Sequence, residues 1–385
     1  NALFSGRIYS DVQTEMHPSG EIRADYLLTT GSTEFVPPLD APGIQTLAGL
    51  DLDRDIARFL AQSTFGPTPE LMVELRDLVN SPTHGGDRIA AFSAWLDEKL
   101  DSSLTPTPSL EDLVKAEDIQ LLEIYKGDPT ALWYKADYFP PSSSRRHAWW
   151  SVALFSEDQV RQRLATALME ILVTSSGEDV VDQRHYGHSQ YYDMLAAGVG
   201  GKYRDLLEGV STHPIMGQYL SSLRNQKEIM DGTGTVIVSP DENFAREIMQ
   251  LFSIGLVQLH PDGSLKLSSS GQPIPTYGQE DIVNLAKVFT GWSFSKRNNP
   301  SGSDTVTDNA SFNYGNGNRY YQAQWLNPMK QFPSYHDTGA KTVLGLPLPG
   351  GQTGEVELAD FLDHLGAHPN IAPFICKRII QRLVT

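Results

Sequence analysis

The stretch SPDENFAREIMQLFSIG, residues 239–255, carries the helical signal that decides the fold class. It opens with the spacing of a capping box, because Ser239 precedes Glu242 by three residues and Pro240 takes the first helical position. At about 100° per residue, the apolar side chains fill one side of the cylinder and the polar side chains fill the other. The stretch therefore predicts an amphipathic helix over residues 240–254.

Similar capping and periodicity predict helices along most of the chain from residue 51 onward. Residues 256–267 instead alternate apolar and polar side chains around Asp262–Gly263, a pattern that predicts a β-hairpin. Residues 1–45 alternate more roughly and lead into a proline-rich linker, which predicts a short β-like N-terminal segment. The predicted fold is mainly α: a large helical domain over residues 46–385 with a small β-hairpin insertion.

Composition excludes several classes of protein. The chain has 385 residues, of which 40% are hydrophobic, so it holds enough apolar material for a core. With 30 basic and 47 acidic residues its net charge is −17, which argues against a nucleic-acid partner. No apolar run approaches the ~20 residues that span a membrane. The chain opens without Met and stops inside a predicted helix, so we expect a processed protein or a fragment that continues beyond Thr385.

Glu247 lies at the margin of the apolar arc of the 240–254 helix, where a carboxylate must be paired or have its pKa raised by burial. A second helix, predicted over 157–174, is apolar nearly all round except for a stripe that holds Arg163 and Glu170. We predict that Arg163 pairs with Glu247 and Glu170 with Arg246. The resulting buried ion network fixes helix register, and a functional Glu247 is the alternative.

A second polar group follows a long loop that is rich in Asn, Gly, Ser and Tyr over residues 296–335. His336 stands beside Asp337 with a Lys five residues on, a combination that suits acid–base chemistry. The alternative is a local turn held by Asp337. Aromatic residues of the loop, Tyr320 among them, predict a stacking platform for a sugar or polymer, unless they only fold the loop onto the domain.

Metal and cofactor motifs are sparse. His185 and His188 have a spacing that suits two ligands on one helix, but a solvated loop-to-helix junction is the favoured interpretation. The single Cys376 excludes a cysteine-based zinc site, and no His-Glu-x-x-His or Gly-x-Ser-x-Gly motif occurs. We therefore assign no metal ligand, and the cofactor remains unknown.

Several motifs together resemble a known family. They are ARFLAQSTFGPT at 57–68, DENFAREIMQLF at 241–252, TGW at 290–292 and HDTGAK at 336–341, with PTY at 275–277. In this order they resemble the bacterial domain-of-unknown-function family numbered 1800, from about residue 51 to the end of the chain. The resemblance implies a large, mostly helical protein that is commonly exported to the periplasm, the cell surface or the medium. No reaction is established for the family, so no catalytic role is transferred.

Three functions remain open at this point. The first is an exported hydrolase or lyase that acts on a polymer through a polar cleft between buried helices. The second is a structural or assembly protein of the cell envelope, and the third is a carbohydrate- or peptide-binding module; the expected partners are polysaccharide or other envelope proteins. For the enzyme we predict as catalytic residues Glu247, Arg246, His336 and Asp337. The predicted substrate-binding residues are Arg163, Asn243, Tyr277 and Tyr320.

Overall fold

The structure is a computed structural model that describes residues 51–101, 108–125, 142–175, 181, 184–295, 312–313 and 323–384. Its described helices are α1 (Asp51–Ser63), α2 (Pro69–Asn80), α3 (Arg88–Lys99), α4 (Leu110–Tyr125), α5 (Ser142–Phe155), α6 (Gln159–Ile171), α7 (His185–Gly198), α8 (Tyr203–Thr212), α9 (Pro214–Tyr219), α10 (Asn243–Gln250), α11 (Gln279–Val288), α12 (Gly354–Gly366) and α13 (Ile371–Leu383). The prediction of a mainly α fold is confirmed.

The strands are short and pair two by two, each pair antiparallel. They are β1 (Ile229–Met230) with β2 (Val236–Val238), β3 (Trp292–Ser293) with β4 (Lys330–Gln331), and β5 (Lys341–Val343) with β6 (Leu346–Leu348). The β1–β2 ribbon exposes Ile229, Met230, Val236 and Ile237 to solvent. No described helix is both long enough and apolar enough to cross a membrane.

The described residues divide into two compact units. The first takes residues 51–99, 249–276 and 367–384. In it, the ring of Phe59 from α1 stacks on that of Phe92 from α3 at 4.4 Å. Asn370, which precedes α13, donates its side-chain amide to the carbonyls of Ile254 and Val257 at 2.6 and 2.9 Å. These bonds fasten the 254–259 segment to the start of α13.

The predicted hairpin over 256–267 is confirmed and belongs to a three-part motif. Antiparallel bridges join Leu259 to Leu265, Leu267 to Pro273 and Val257 to Pro275. Three backbone hydrogen bonds connect the segments. The N–H of Gln258 donates to the Ile274 carbonyl at 2.8 Å, the N–H of Ile274 donates to the Lys266 carbonyl at 3.1 Å, and the N–H of Lys266 donates to the Gln258 carbonyl at 2.9 Å. Three short segments, centred on Gln258, Lys266 and Ile274, therefore each pair with both of the others. These central residues are eight positions apart. We name residues 257–275 the three-segment ring.

The second unit takes residues 100–248 and 277–366 as far as they are described. Helices α4, α5, α6 and α7 pack together in it. The Asp193 carboxylate of α7 accepts the backbone N–H groups of Leu110 and Glu111 at 2.7 and 2.9 Å, which caps the start of α4. Charged side chains at helix ends thus fix how these helices meet.

Arg161 of α6 caps the C-terminal end of α7, and its side chain is fully buried. Its Nη1 donates to the carbonyls of Ala196 and Val199 at the end of α7, over 3.2 and 2.8 Å. Its Nη2 donates to the carbonyl of Asp101 at 2.6 Å. A cation is favoured there because the last carbonyls of a helix carry partial negative charge.

The predicted start of the 240–254 helix is wrong. The α-helix begins at Asn243, and Asp241 Oδ1, not Ser239, accepts the Asn243 N–H at 2.8 Å. The reason is tertiary: Asn225 Oδ1 accepts the Asp241 N–H at 2.8 Å and holds that residue outside the helix. The predicted β-like segment over 1–45 lies outside the described residues.

Candidate functional site

The predicted catalytic residues divide into two groups within the second unit. Arg246 and Glu247 lie on α10, whereas His336 and Asp337 follow the short helical turn Pro333–Tyr335. No hydrogen bond or ion pair between described residues joins one group to the other. Each group is therefore described separately.

The first group, the α10 cluster, consists of Glu242, Arg246, Glu247, Tyr277 and Gln279. Arg246 Nη2 donates to Glu242 Oε2 at 3.1 Å, one turn earlier along the chain. Gln279 Nε2 donates to the same oxygen at 3.0 Å. Two of the predicted substrate-binding residues lie near Arg246 and Glu247. Tyr277 interacts electrostatically with both of them, and Asn243 lies one turn before them on α10.

Glu247 is the unusual member of this cluster. Its Oε2 is buried and has no hydrogen-bond partner among the described residues. Burial raises the pKa of Glu247, and the positive charge of Arg246 opposes that rise. Burial also raises the pKa of Tyr277. A carboxyl with a raised pKa beside a guanidinium and a phenol can act as a proton donor.

The buried ion network predicted for this region differs from what the structure shows. Arg246 pairs with Glu242, and the charge that acts on Glu247 is that of Arg246. Glu170 is exposed on α6 and Arg163 is half-buried, so the buried cation of that helix is Arg161 instead. Arg161 lies outside the predicted polar stripe, and its acceptors are backbone carbonyls that are distant in sequence.

The second group is a dry polar network centred on Glu357 of α12, which the sequence analysis missed. The side chains of His336, Lys341 and Glu357 are each 1% exposed or less. Lys341 Nζ donates to both oxygens of Glu357 and to the Asp337 carbonyl, each at 2.7 Å. His336 Nε2 lies 3.3 Å from Glu357 Oε2. Every acceptor around Lys341 is thus supplied by the protein.

His336 and Asp337 also meet the motif at 290–292. His336 Nδ1 lies 3.0 Å from the Thr290 carbonyl, which only accepts hydrogen bonds, so Nδ1 carries a proton. The Asp337 N–H donates to Thr290 Oγ1 at 2.8 Å, while Asp337 Oδ1 accepts the Gly339 N–H at 2.8 Å. The carboxylate of Asp337 therefore holds a local turn, the alternative that the sequence left open.

Gly291 sits at the centre of these contacts. Its φ of +83° is in the left-handed region, and a Cβ there would lie 2.9 Å from the Phe332 carbonyl oxygen. Its N–H donates to the Asn225 carbonyl at 2.8 Å, and its own carbonyl accepts the Phe332 N–H at 2.7 Å. The backbone at this point has no room for a side chain.

We expect Gly291→Ala to lower the free energy of unfolding by about 2 kcal/mol or more, the sum of an unfavourable φ and a backbone clash. Gly345→Ala is the matched control, because Gly345 has a φ of +79° with no atom within 4 Å of an added Cβ. The control should lose only about 1 kcal/mol. Urea unfolding of both variants measures the difference, and equal losses would contradict the clash.

The remaining predicted residues are placed as follows. Tyr320 lies outside the described residues. His185 and His188 are both buried on α7, and no group of three or more His, Cys, Asp or Glu side chains in the described ranges is arranged to hold a metal. Burial lowers the pKa of His188 well below its usual value, with a further contribution from the charge of Arg145.

Fold and sites together define a mainly helical protein with a half-buried acid on one helix and a separate dry ion network. The family model described as "Protein of unknown function (DUF1800)" matches residues 58–385, so the chain belongs to the DUF1800 family. No curated protein and no solved structure matches the chain.

Proposed function

We propose that this protein is a hydrolase or lyase that acts on a polymer, with Glu247 as the general acid of the α10 cluster. The observation that carries the proposal is the Glu247 carboxyl, which has a buried oxygen without a partner and a pKa raised by burial. Such a group keeps its proton to higher pH than an ordinary glutamate and can give it to a leaving oxygen.

The neighbours of Glu247 have complementary roles in this proposal. As the bond between carbon and the leaving oxygen breaks, the Glu247 proton passes to that oxygen. In hydrolysis, water supplies the hydroxyl that the carbon gains, and its other proton returns to the Glu247 carboxylate. In elimination, solvent water takes the proton of the neighbouring carbon as the carbon–carbon double bond forms. Arg246, oriented by Glu242 at 3.1 Å, offers a positive charge to an anionic group or to the charge that develops. Asn243 and Tyr277 offer hydrogen bonds to substrate hydroxyls. His336 and Asp337 take no part, because His336 is buried beside Glu357 and the Asp337 carboxylate holds a local turn.

Glu247→Gln tests the proposal with polygalacturonate and dextran as probe polymers, because the links between their units break at a carbon–oxygen bond. Release of reducing ends reports cleavage, and the ultraviolet absorbance of an unsaturated sugar product separates a lyase from a hydrolase. We expect Glu247→Gln to lower the rate on the polymer that is cleaved by about 10²–10⁴-fold, because it removes the general acid. The exposed Glu228→Gln is the matched control and should leave the rate unchanged. Absence of cleavage by the wild type, or equal rates for both variants, would overturn the proposal.

The raised pKa of Glu247 also sets two pH dependences. Activity should fall as pH rises through the raised pKa, since the acid then loses its proton. The folded state binds this proton more tightly than the unfolded chain does, so stability from this group is present below the unfolded pKa and is lost as pH rises through the folded pKa. Glu247→Gln should therefore raise Tm at neutral pH while activity falls, and thermal scans at pH 4 and pH 7 measure this.

The other functional interpretations stay predictions. Export to the periplasm, cell surface or medium rests on the family resemblance alone. The structural or assembly role in the cell envelope rests on the prediction that the buried ion network is architectural. The polysaccharide or envelope partners are predictions that go with these roles. The carbohydrate- or peptide-binding role was assigned to the loop around Tyr320, which lies outside the described residues.

A further inference from the structure

Every residue of the β1–β2 ribbon from Lys227 to Ile237 is exposed to solvent. Four of these residues are large and apolar, with exposed fractions between 38% and 61%: Ile229, Met230, Val236 and Ile237. Exposed apolar side chains that cluster in this way mark interaction surfaces. A two-stranded hairpin is also only marginally stable in water by itself, so the ribbon gains from a partner.

The ribbon is anchored at its base. Asn225, which precedes β1, is buried, and its Oδ1 accepts the N–H of Asp241, which follows β2, at 2.8 Å. The side-chain amide of Asn225 also donates to the Ala286 carbonyl of α11 at 3.3 Å. The Lys227 N–H donates to the Tyr335 carbonyl at 2.9 Å. These bonds fix both ends of the ribbon, and such preorganisation lowers the entropic cost of binding.

One edge of β1 is directed away from β2. The Asp231 N–H donates to the Thr235 carbonyl at 2.9 Å, so the backbone groups of Asp231 point toward the second arm of the hairpin. Successive residues of a strand direct their backbone groups to opposite edges, so Met230 and Glu228 direct theirs outward. The sheet has no third strand among the described residues. This outer edge can therefore pair with a strand from another molecule.

The sequence along this edge is self-complementary in charge. Residues 227–231 read Lys-Glu-Ile-Met-Asp, so Ile229 has a positive charge two positions before it and a negative charge two positions after it. When two copies pair antiparallel about Ile229, Lys227 of each copy stands opposite Asp231 of the other. Glu228 then stands opposite Met230, so no charge is directly opposite a like charge. Cross-strand pairs of opposite charge stabilise a sheet.

The two charged groups are available for this pairing. Asp231 Oδ1 accepts the N–H groups of Thr233 and Thr235 at 2.8 and 2.9 Å, which leaves Oδ2 for another donor. Lys227 Nζ has no hydrogen bond or ion pair within the described part of the chain. The corresponding stretch of β2, residues 235–239, contains no charged residue, so its edge lacks this complementarity.

We propose that the β1–β2 ribbon joins two copies of this chain through antiparallel pairing of their β1 strands about Ile229. The two ribbons then form one four-stranded sheet, in which the backbone of Glu228 in each copy bonds to that of Met230 in the other. The two Ile229 side chains meet on one face, between two Lys227–Asp231 pairs. Because the same surface is used by both copies, the assembly closes as a dimer. The contact is independent of Glu247.

Sedimentation velocity of the full chain tests the proposal. The paired edge is short, so we expect a reversible dimer whose fraction rises from about 1 µM to about 1 mM protein. Lys227→Glu should raise the dissociation constant at least about tenfold, because both cross-strand pairs then join like charges. Lys202→Glu is the matched control, since it makes the same change at an exposed lysine outside the ribbon and should leave the dissociation constant unchanged.

Mixing two variants separates the cross-strand charges from other effects. Asp231→Lys alone should also weaken the dimer at least about tenfold, since it places lysine opposite lysine. An equimolar mixture with Lys227→Glu should dimerise more tightly than either variant alone, because every acidic side chain at the two positions then faces a lysine. The turn bonds of Asp231 are lost both in the variant alone and in the mixture, so recovery reports the charges.

Two substitutions by lysine locate the paired edge. Ile229→Lys places two positive charges at the centre of the contact and should abolish the dimer, whereas Ile237→Lys on β2 should have little effect although Ile237 is 61% exposed. Overturning results are a wild type that stays monomeric at every concentration, equal dimerisation of Lys227→Glu and Lys202→Glu, no recovery on mixing, or a larger loss for Ile237→Lys than for Ile229→Lys.

Discussion

Glu357→Gln should lower the free energy of unfolding by about 3–5 kcal/mol, the range for breaking a buried ion pair. The substitution removes the anion that lies between Lys341 and His336, so the Lys341 ammonium stays buried without a counter-charge. Urea unfolding followed by circular dichroism measures the loss. Glu355→Gln is the matched control, because Glu355 lies on the same helix but is exposed, and it should change stability by less than about 0.5 kcal/mol.

The double variant Lys341→Met with Glu357→Leu gives a second test of the same pair. Replacing both charges by apolar side chains is often neutral or stabilising, whereas removing one of them leaves the other uncompensated. The double variant should therefore recover most of the stability that Glu357→Gln loses. Equal stability of Glu357→Gln and Glu355→Gln would show that the buried pair contributes nothing.

Arg161→Met should also be strongly destabilising, by about 3 kcal/mol or more. The Arg161 guanidinium donates to three carbonyls, two of them at the end of α7, and a methionine leaves all three without this donor. Each buried acceptor that loses its partner costs about 1–3 kcal/mol, and the losses are not fully additive. The same unfolding experiment measures it.

Arg163→Met is the matched control for Arg161→Met. It lies two residues away on α6 and is only half-buried, so we expect a change of about 1 kcal/mol or less. A larger loss for Arg163→Met than for Arg161→Met would contradict the placement of the buried cation.

The helices were predictable because their signals are local. Two of these signals are the cap at Thr68 followed by Pro69 and the mostly apolar sequence of α6. The helix predicted over 157–174 agrees with α6 within a few positions at each end. Where a distant group intervenes, prediction fails. The hydrogen bond from the Asp241 N–H to Asn225 keeps Asp241 outside α10. Arg161 is buried because its guanidinium donates to backbone carbonyls at the end of α7.

The candidate sites were predictable only in part, for the same reason. Asn243, Arg246 and Glu247 are near one another because they share one helix, whereas the position of Tyr277 beside them depends on tertiary structure. The network around Glu357 was missed although a signal exists: Glu357 falls four residues before Phe361 and eight before Leu365, on the apolar side of α12. A sequence shows that such a carboxylate needs a partner, but which basic residue supplies it depends on tertiary contacts.

The three-segment ring has a consequence for how this protein meets other chains. An ordinary sheet ends in edge strands whose free N–H and C=O groups can recruit a strand from another molecule. In the ring each segment already pairs with its two neighbours through the central backbone bonds, so there is no edge strand of that kind. Leu265 and Leu267 are exposed on a motif that resists strand-to-strand association, whereas the β1–β2 ribbon is a sheet of two strands with no third strand among the described residues.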